Sequence, residues 1–141
     1  MAAAVLALGE AMGKSGRDVL AAFIAGYEVE CRLGDMAGDG HYDQGFHATG
    51  TFGTFGATAG AAHLIGLDQA KTQMALGIAA SEASGLKINF GTMTKPLHVG
   101  KAAMNGVIAA RLAARDFTAR PDAIEAPQGF FATQAPGFAP K

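Results

Sequence analysis

The chain has 141 residues, 50% of them hydrophobic, and a formal net charge of -1, which together indicate one domain able to bury its own core. There is no cluster of lysine and arginine, so the composition argues against binding to nucleic acid. Cys31, the single cysteine, excludes an internal disulfide and a cysteine-rich metal site, and fits a reducing compartment. We expect Cys31 to be a small buried residue on a helix.

Two apolar stretches could be mistaken for membrane-directed segments. The N-terminal run has no basic residue in front of it, so it is a poor signal peptide. Residues 44–67 contain no Asp, Glu, Lys or Arg, but glycine and threonine dominate them and gain little from hydrocarbon. We therefore predict a cytoplasmic protein that has neither a membrane nor a nucleic acid as partner.

The first two predicted elements are helices separated by a short connection. Residues 2–12 form an apolar block that ends at Gly13. Ser15 and Asp18 have the spacing of a capping box, with Asp in place of the usual Glu. They open a second helix over residues 16–36, whose apolar residues recur at intervals of three and four.

The third predicted helix has an unusual composition of small residues. Residues 36–45 break the helical pattern and are predicted to be a loop, and the helix follows over residues 45–64, closed by Gly66. Each glycine inside a helix costs about 1 kcal/mol relative to alanine. So many glycines are expected only where another helix approaches closely, and we predict that this helix lies in the interior of a bundle.

The remaining chain is predicted to hold two further helices, a long loop and a tail. Asp68 is a suitable N-cap for a helix over residues 69–85. Residues 86–100 are predicted to be a loop that leads into a helix whose first turn contains Pro96. Lys95, directly before the proline, is biased away from helical dihedral angles. Since no segment alternates strictly, the predicted fold is an all-α bundle.

No sequence motif for a metal or a cofactor is present. The chain lacks HExxH, GxGxxG, a Walker-type phosphate loop and a GxSxG elbow. His41, Asp43 and His47 do not have the spacing of a metal site. We therefore predict neither metal nor cofactor.

His47 and Lys95 are the residues that we single out by position. Each lies at the predicted N-terminus of a helix, where unpaired N–H groups favour an anion. A histidine can move a proton near neutral pH, and a lysine can hold a carboxylate or stabilise an enolate. The alternative is that His47 is a capping or solvated residue and that Lys95 simply reaches into water.

Three segments carry a resemblance to a known protein family. HYDQGFHATGTFGTFGATAGAAHLIGLD, ALGIAASEASGLKINFGTMTKPLHVGKAAMNGVIAARLAARDFTA and APQGFF resemble the MmgE/PrpD family through nearly the whole chain. GFHATGTFG and TKPLHVGKAAMNG are the most specific parts. Members of the family include 2-methylcitrate dehydratase, cis-aconitate decarboxylase and iminodisuccinate epimerase.

The resemblance implies an activity and a set of site residues. Members of the family are typically homodimers that act on di- and tricarboxylates without an obligatory cofactor or metal. The histidine of GFHATG, here His47, and the lysine of TKPLH, here Lys95, are implied active-site residues. Thr94 and His98, which flank Lys95, and Asn89 are further candidates for substrate binding, and the alternative for His98 is a surface residue of the first helical turn. The expected activity is that of a 2-methylcitrate dehydratase-like lyase of propionate metabolism, which abstracts a proton next to a carboxylate and eliminates water.

The sequence also departs from the family pattern. Family members have a helical domain and a smaller α/β lid, and a DDTH-like segment precedes their GFH motif. Residues 1–40 contain no such segment, and further active-site lysine and tyrosine residues of the family lie beyond the matched region. We therefore expect residues 1–141 to be part of the helical domain without the lid, inactive alone and prone to self-association, with the tail 126–141 leading toward the lid. One alternative is a non-catalytic helical module for oligomerisation or carboxylate binding. Another is that a separately encoded remainder of the enzyme is a partner and restores activity.

Overall fold

The computed structural model describes residues 1–138. The secondary structure of these residues is helical, which confirms the all-α prediction. They contain no β-strand, only one isolated antiparallel bridge between Phe46 and Leu86. The α-helices are α1 (Ala2–Ala11), α2 (Gly16–Ala37), α3 (Gly40–Asp43), α4 (Ala48–Ile65), α5 (Gln69–Glu82), α6 (Thr94–Ala113) and α7 (Phe130–Gln134), with a 3-10 turn at Lys87–Asn89. The last three residues of the predicted tail, 139–141, lie outside the described residues.

The helix ends follow the predicted signals closely. The Ser15 hydroxyl accepts a hydrogen bond from the Asp18 N–H at 3.2 Å, and the Asp18 carboxylate accepts one from the Ser15 N–H at 3.0 Å. The Asp68 carboxylate accepts a hydrogen bond from the Lys71 N–H at 2.8 Å. Gly66 ends α4 in the left-handed region, with φ of 80°. Such caps pair groups that the first and last helical turns leave without intrahelical partners.

Two predicted loops are partly helical. α3 forms a single turn inside the predicted loop 36–45. The loop predicted over residues 86–100 is wrong from Thr94 onward, because α6 begins there and includes Lys95 in its first turn. Pro96 is the third residue of α6, where its missing N–H leaves no intrahelical bond unmade. The bias against helical dihedral angles before a proline is therefore overcome at Lys95.

α4 occupies the centre of the bundle, as its composition predicts. Every residue over the range 50–62 is buried, and the helix packs against both α2 and α6. A methyl group on Gly56 would lie 3.0 Å from the Gly26 carbonyl oxygen, and one on Gly60 would lie 3.0 Å from the Ala22 carbonyl oxygen. The glycines thus allow the backbones of α2 and α4 to approach closely.

The contact between α4 and α6 is equally tight. A methyl group on Gly106 of α6 would lie 2.6 Å from the Thr58 nitrogen and 2.7 Å from the Ala57 carbonyl carbon. The buried hydroxyls of Thr54 and Thr58 donate to carbonyl oxygens one turn earlier, each at 2.8 Å. These two hydroxyls are therefore satisfied within α4, without partners from other helices.

His41 fastens the C-terminal segment to the bundle. Its side chain is 1% exposed and stacks on Phe46, with ring centroids 4.9 Å apart. Because a carbonyl oxygen only accepts, the 2.8 Å contact with Gln134 requires a proton on His41 Nδ1, and Nε2 lies 2.7 Å from the Thr51 hydroxyl oxygen. Phe130, beside it, is buried, so this part of the tail packs against the bundle.

The prediction for Cys31 is half wrong. Cys31 lies on a helix, α2, but it is exposed. It shares a helical face with the exposed side chains of Leu20, Ile24 and Tyr27, because these positions recur at intervals of three and four. The opposite face of α2, with Gly26, is the one that packs against α4.

The apolar stretch over residues 44–67 coincides with α4. Among residues 1–138, no helix is both long enough and apolar enough to cross a membrane.

The close packing of α4 and α6 predicts opposite effects for two glycines of the same helix. Gly106→Ala inserts a methyl group against backbone atoms of α4, so we expect it to lower the free energy of unfolding by about 1–3 kcal/mol. Gly100→Ala is the matched control, since nothing lies within 4 Å of its added methyl group. It is expected to raise the free energy by about 0.5–1 kcal/mol. Urea titration measures both, and equal effects would contradict the proposed packing constraint.

The environment of His41 predicts a loss of stability on acidification. Burial lowers the pKa of His41 from its usual 6.5, against a smaller opposing effect of the Gln134 carbonyl. The unfolded chain therefore binds a proton below pH 6.5 that the folded chain resists, so stability falls as pH falls. We expect His41→Asn to be about 2 kcal/mol less stable at pH 7 but to show a smaller further loss down to pH 5.

The control for this prediction is His63→Asn, because His63 is an exposed histidine on α4. It should lower the free energy of unfolding at pH 7 by less than His41→Asn does. Burial raises the pKa of Glu30, so protonation of Glu30 stabilises the folded chain as pH falls and opposes the loss of stability caused by His41. The measured quantity is therefore the difference in free energy of unfolding between each variant and the unsubstituted chain. An unchanged pH dependence in His41→Asn would remove His41 as the cause.

Candidate active site

His47 is held in place by backbone pairing with a segment far away in the sequence. Its N–H donates to the Gly85 carbonyl oxygen at 3.0 Å, and the Lys87 N–H donates to the Gly45 carbonyl oxygen at 2.7 Å. The His47 carbonyl oxygen accepts from the N–H groups of the first turn of α4, so His47 is the N-cap residue by backbone only. The capping role that stood as the alternative for its side chain is not observed.

The His47 ring makes its hydrogen bond to a second histidine. His47 Nδ1 lies 3.0 Å from Nδ1 of His98 on α6. His47 is 6% exposed, whereas His98 is half-buried. Two imidazoles at this distance share a single proton between these nitrogens, because one must donate and the other accept.

Gly85 makes room for the two histidines. Its φ is +144°, a conformation that side-chain-bearing residues rarely adopt. A methyl group there would lie 3.2 Å from Nδ1 of His98 and 3.6 Å from Cβ of His47. A glycine at this position therefore serves both the backbone conformation and the approach of the rings.

Phe90 contacts both His47 and Lys95. The Phe90 ring meets His47 edge to face, with centroids 4.8 Å apart, and Lys95 Nζ lies 4.5 Å from the Phe90 centroid. We refer to His47, His98, Lys95, Phe90 and Gly85 as the histidine site. Here an imidazole, an ammonium group and an aromatic ring converge.

The charge state of His47 follows from these surroundings. Burial lowers its pKa below the usual 6.5, and the neighbouring His98 and Lys95 lower it further. His47 is therefore neutral at pH 7. Among residues 1–138, Gln134 Oε1 is the one buried side-chain oxygen or nitrogen atom without a partner. His47 Nε2 makes no hydrogen bond to these residues, so it reaches solvent and is free to exchange a proton.

Of the candidate residues, the structure brings together His47, Lys95 and His98. Asn89 and Thr94 lie in the adjoining turn and at the start of α6, and both are half-buried. The Asn89 carbonyl oxygen accepts from the Thr92 hydroxyl at 2.8 Å, and the Thr94 N–H donates to the same hydroxyl at 3.2 Å. These contacts order the turn, and the roles of Asn89 and Thr94 in substrate binding stay predictions.

Phe90 and Gly85 were not found by sequence reasoning. Neither belongs to the residue types usually searched for in proton transfer. Phe90 lies in the predicted loop 86–100, and Gly85 was predicted to be the last residue of the preceding helix, which ends at Glu82 in the structure. The nearest available signal was their position between the GFHATG and TKPLH segments. Only the fold shows that this loop wraps across the start of α4.

A separate cavity lies away from the histidine site. It has a volume of about 930 Å³ and lies against α5 and residues 117–134, with Arg120 and Gln134 among its lining residues. Its arginine is already paired with Asp122, at 2.7 Å. Within residues 1–138, no three histidine, cysteine or acidic side chains are grouped so that they could hold a metal ion. The histidine site is therefore where proton-transferring groups converge.

The amino-acid sequence of the chain matches that of a known protein family. Residues 1–141 match the MmgE/PrpD N-terminal domain. Human cis-aconitate decarboxylase is 38% identical over 140 residues, which cover 96% of this chain and 29% of that protein. The mouse cis-aconitate decarboxylase is 37% identical, with 86% of this chain and 25% of that protein covered.

A fungal relative gives the same result. Cis-aconitate decarboxylase of Aspergillus terreus is 31% identical over 135 residues, which cover 91% of this chain and 28% of that protein. The chain therefore spans less than a third of the length of these curated relatives. The match over its full length confirms the resemblance seen in the sequence, and the chain belongs to the MmgE/PrpD family.

Proposed function

We propose that this chain supplies part of the active site of a lyase that acts on a small di- or tricarboxylate. The observation that carries the proposal is the convergence of His47 and Lys95 on Phe90, in a chain of the MmgE/PrpD family. The names of the relatives support loss of CO₂ from an unsaturated tricarboxylate such as cis-aconitate. Dehydration of 2-methylcitrate, expected from the sequence, is the alternative reaction at the same site, and these relatives do not support it specifically.

Lys95 is the proposed carboxylate-binding group. Its ammonium group lies over the Phe90 ring, an interaction worth about 0.5–1 kcal/mol at an exposed position. A hydrogen-bonded pair with a carboxylate contributes about 1.5–3 kcal/mol. A substrate carboxylate would therefore draw Lys95 away from Phe90. There the ammonium group would also stabilise negative charge that develops on the substrate.

His47 is the proposed proton-transfer group. Loss of CO₂, or of a proton next to a carboxylate, leaves an electron pair on the same kind of carbon. In dehydration, neutral His47 would accept the proton at Nε2 before the hydroxyl group departs. In decarboxylation, Nε2 would first take up a proton and would then deliver it to that carbon after CO₂ has left. One nitrogen that reaches solvent serves both reactions.

A non-catalytic helical module is the second candidate. It is favoured by the exposed position of Lys95, where a carboxylate can reach the ammonium group without any proton transfer. Such a module would bind a carboxylate through Lys95 without turnover. Turnover by the 141-residue chain itself, abolished by His47→Ala, would eliminate this candidate.

The activity is best tested in a complete enzyme. Residues 1–141 replace the matching segment of human cis-aconitate decarboxylase, and CO₂ release from cis-aconitate and water loss from 2-methylcitrate are followed separately. His47→Ala is expected to lower kcat by about 10²–10⁴-fold, because it removes the proton-transfer group. Lys95→Ala is expected to raise KM by about 10–100-fold, because it removes the charged partner of a carboxylate. It is also expected to lower kcat, because it removes a charge that stabilises the negative charge developing on the substrate.

The matched control is Lys101→Ala, which removes an exposed lysine from the same helix. It should leave kcat and KM unchanged. Activity that survives both His47→Ala and Lys95→Ala would refute the proposed roles. Activity on 2-methylcitrate but not on cis-aconitate would retain the roles and overturn the choice of reaction.

A further inference from the structure

The contact between His47 and His98 indicates a role for His98 other than substrate binding. Their Nδ1 atoms are 3.0 Å apart, and each ring still has its Nε2. His98 was a candidate for contact with substrate, but its Nδ1 is already engaged with His47. The arrangement therefore points to a role for His98 that acts through His47.

We propose that His98 is the proton partner of His47. In the resting pair, His47 Nδ1–H donates to His98 Nδ1, which leaves the lone pair of His47 Nε2 free for the substrate. When a C–H bond of the substrate breaks, its electron pair stays on carbon and the proton forms an N–H bond at His47 Nε2. The Nδ1 proton then passes to His98, where the positive charge comes to rest.

The difference in burial gives this transfer its direction. A charge is more costly on a buried group than on a solvated one, and His47 is the more buried of the two rings. Moving the proton to His98 places the charge on the better hydrated imidazole. In the reverse direction, the same two shifts return a proton to the substrate carbon.

Lys95 is the other charged side chain that acts on the pair. It lies three residues before His98 on α6, so the two side chains are neighbours on one helix face. Its positive charge opposes protonation of His47. A substrate carboxylate on Lys95 would neutralise that charge, so substrate binding and proton uptake would support each other. This last step rests on the proposed function, whereas the shared proton does not.

The decisive measurement is nitrogen NMR of the ¹⁵N-labelled 141-residue chain at neutral pH. We expect a protonated Nδ1 and an unprotonated Nε2 in His47, with scalar coupling between the Nδ1 nuclei of His47 and His98 across the hydrogen bond. A His47 that carries its proton on Nε2, or an absence of coupling, would overturn the proposal. No substrate or turnover is involved, so this result is independent of the proposed function.

Two substitutions separate a proton partner from a packing residue. His98→Asn keeps an amide oxygen near the position of Nδ1, and His47 should retain its Nδ1 proton. His98→Leu removes the acceptor, so we expect His47 to change to the Nε2–H form that free histidine prefers. An unchanged His47 tautomer in His98→Leu would contradict the proposal, and the spectrum of the unsubstituted chain decides the question even if this variant folds poorly.

The pH titration supplies a second readout. A positive charge on one imidazole opposes a second charge on its partner, so the titration of His47 should move to higher pH when His98→Asn removes that partner. His63→Asn, at an exposed position on α4, is the control and should leave the titration of His47 unchanged. An unchanged titration of His47 in His98→Asn would count against the shared proton.

Discussion

The close approach of α4 to α2 and α6 is the constraint on which the rest of the structure depends. Gly56 and Gly60 bring α4 against α2, and Gly106 brings α6 against α4. Contacts of this kind gain dispersion energy over the length of the backbone, which offsets the unfavourable helix propensity of glycine. They also leave no room for adjustment, since one added methyl group would overlap backbone atoms. α4 is thus a fixed axis around which the other helices are arranged.

The packing of the helices around α4 determines the geometry of the histidine site. His47 is the residue directly before α4, and His98 lies on α6, so the distance between the two rings is set by helix packing. Gly50 on α4 faces His98, and a methyl group there would lie 3.3 Å from His98 Cβ. The loop that contains Gly85 and Phe90 then closes over the start of α4 and pairs with residues 45–47. Proton-transfer groups on separate elements are in this way held in place by helix packing and backbone pairing.

The sequence was sufficient for features that depend on local patterns. The capping box at Ser15, the cap at Asp68 and the buried position of α4 all follow from residues a few positions apart. It was insufficient where the partner is distant: His98 is 51 residues from His47, and the pairing of Gly85 with His47 spans a similar stretch. The error at Cys31 has the same origin, because burial depends on which face of α2 meets α4. His47 and Lys95 were selected by position and by family resemblance, and only the fold reveals the ring that both contact.

His41 and His47 show why a lowered pKa does not identify a functional histidine. Burial is the main cause of the lowered pKa in both. Both ring nitrogens of His41 make hydrogen bonds within the protein, to the Gln134 carbonyl and the Thr51 hydroxyl. Neither nitrogen is therefore available to a substrate. His47 uses Nδ1 alone, and its Nε2 reaches solvent. A lowered pKa thus accompanies a structural role at His41 and a site suited to proton transfer at His47. The free ring nitrogen of His47 is what distinguishes the two histidines.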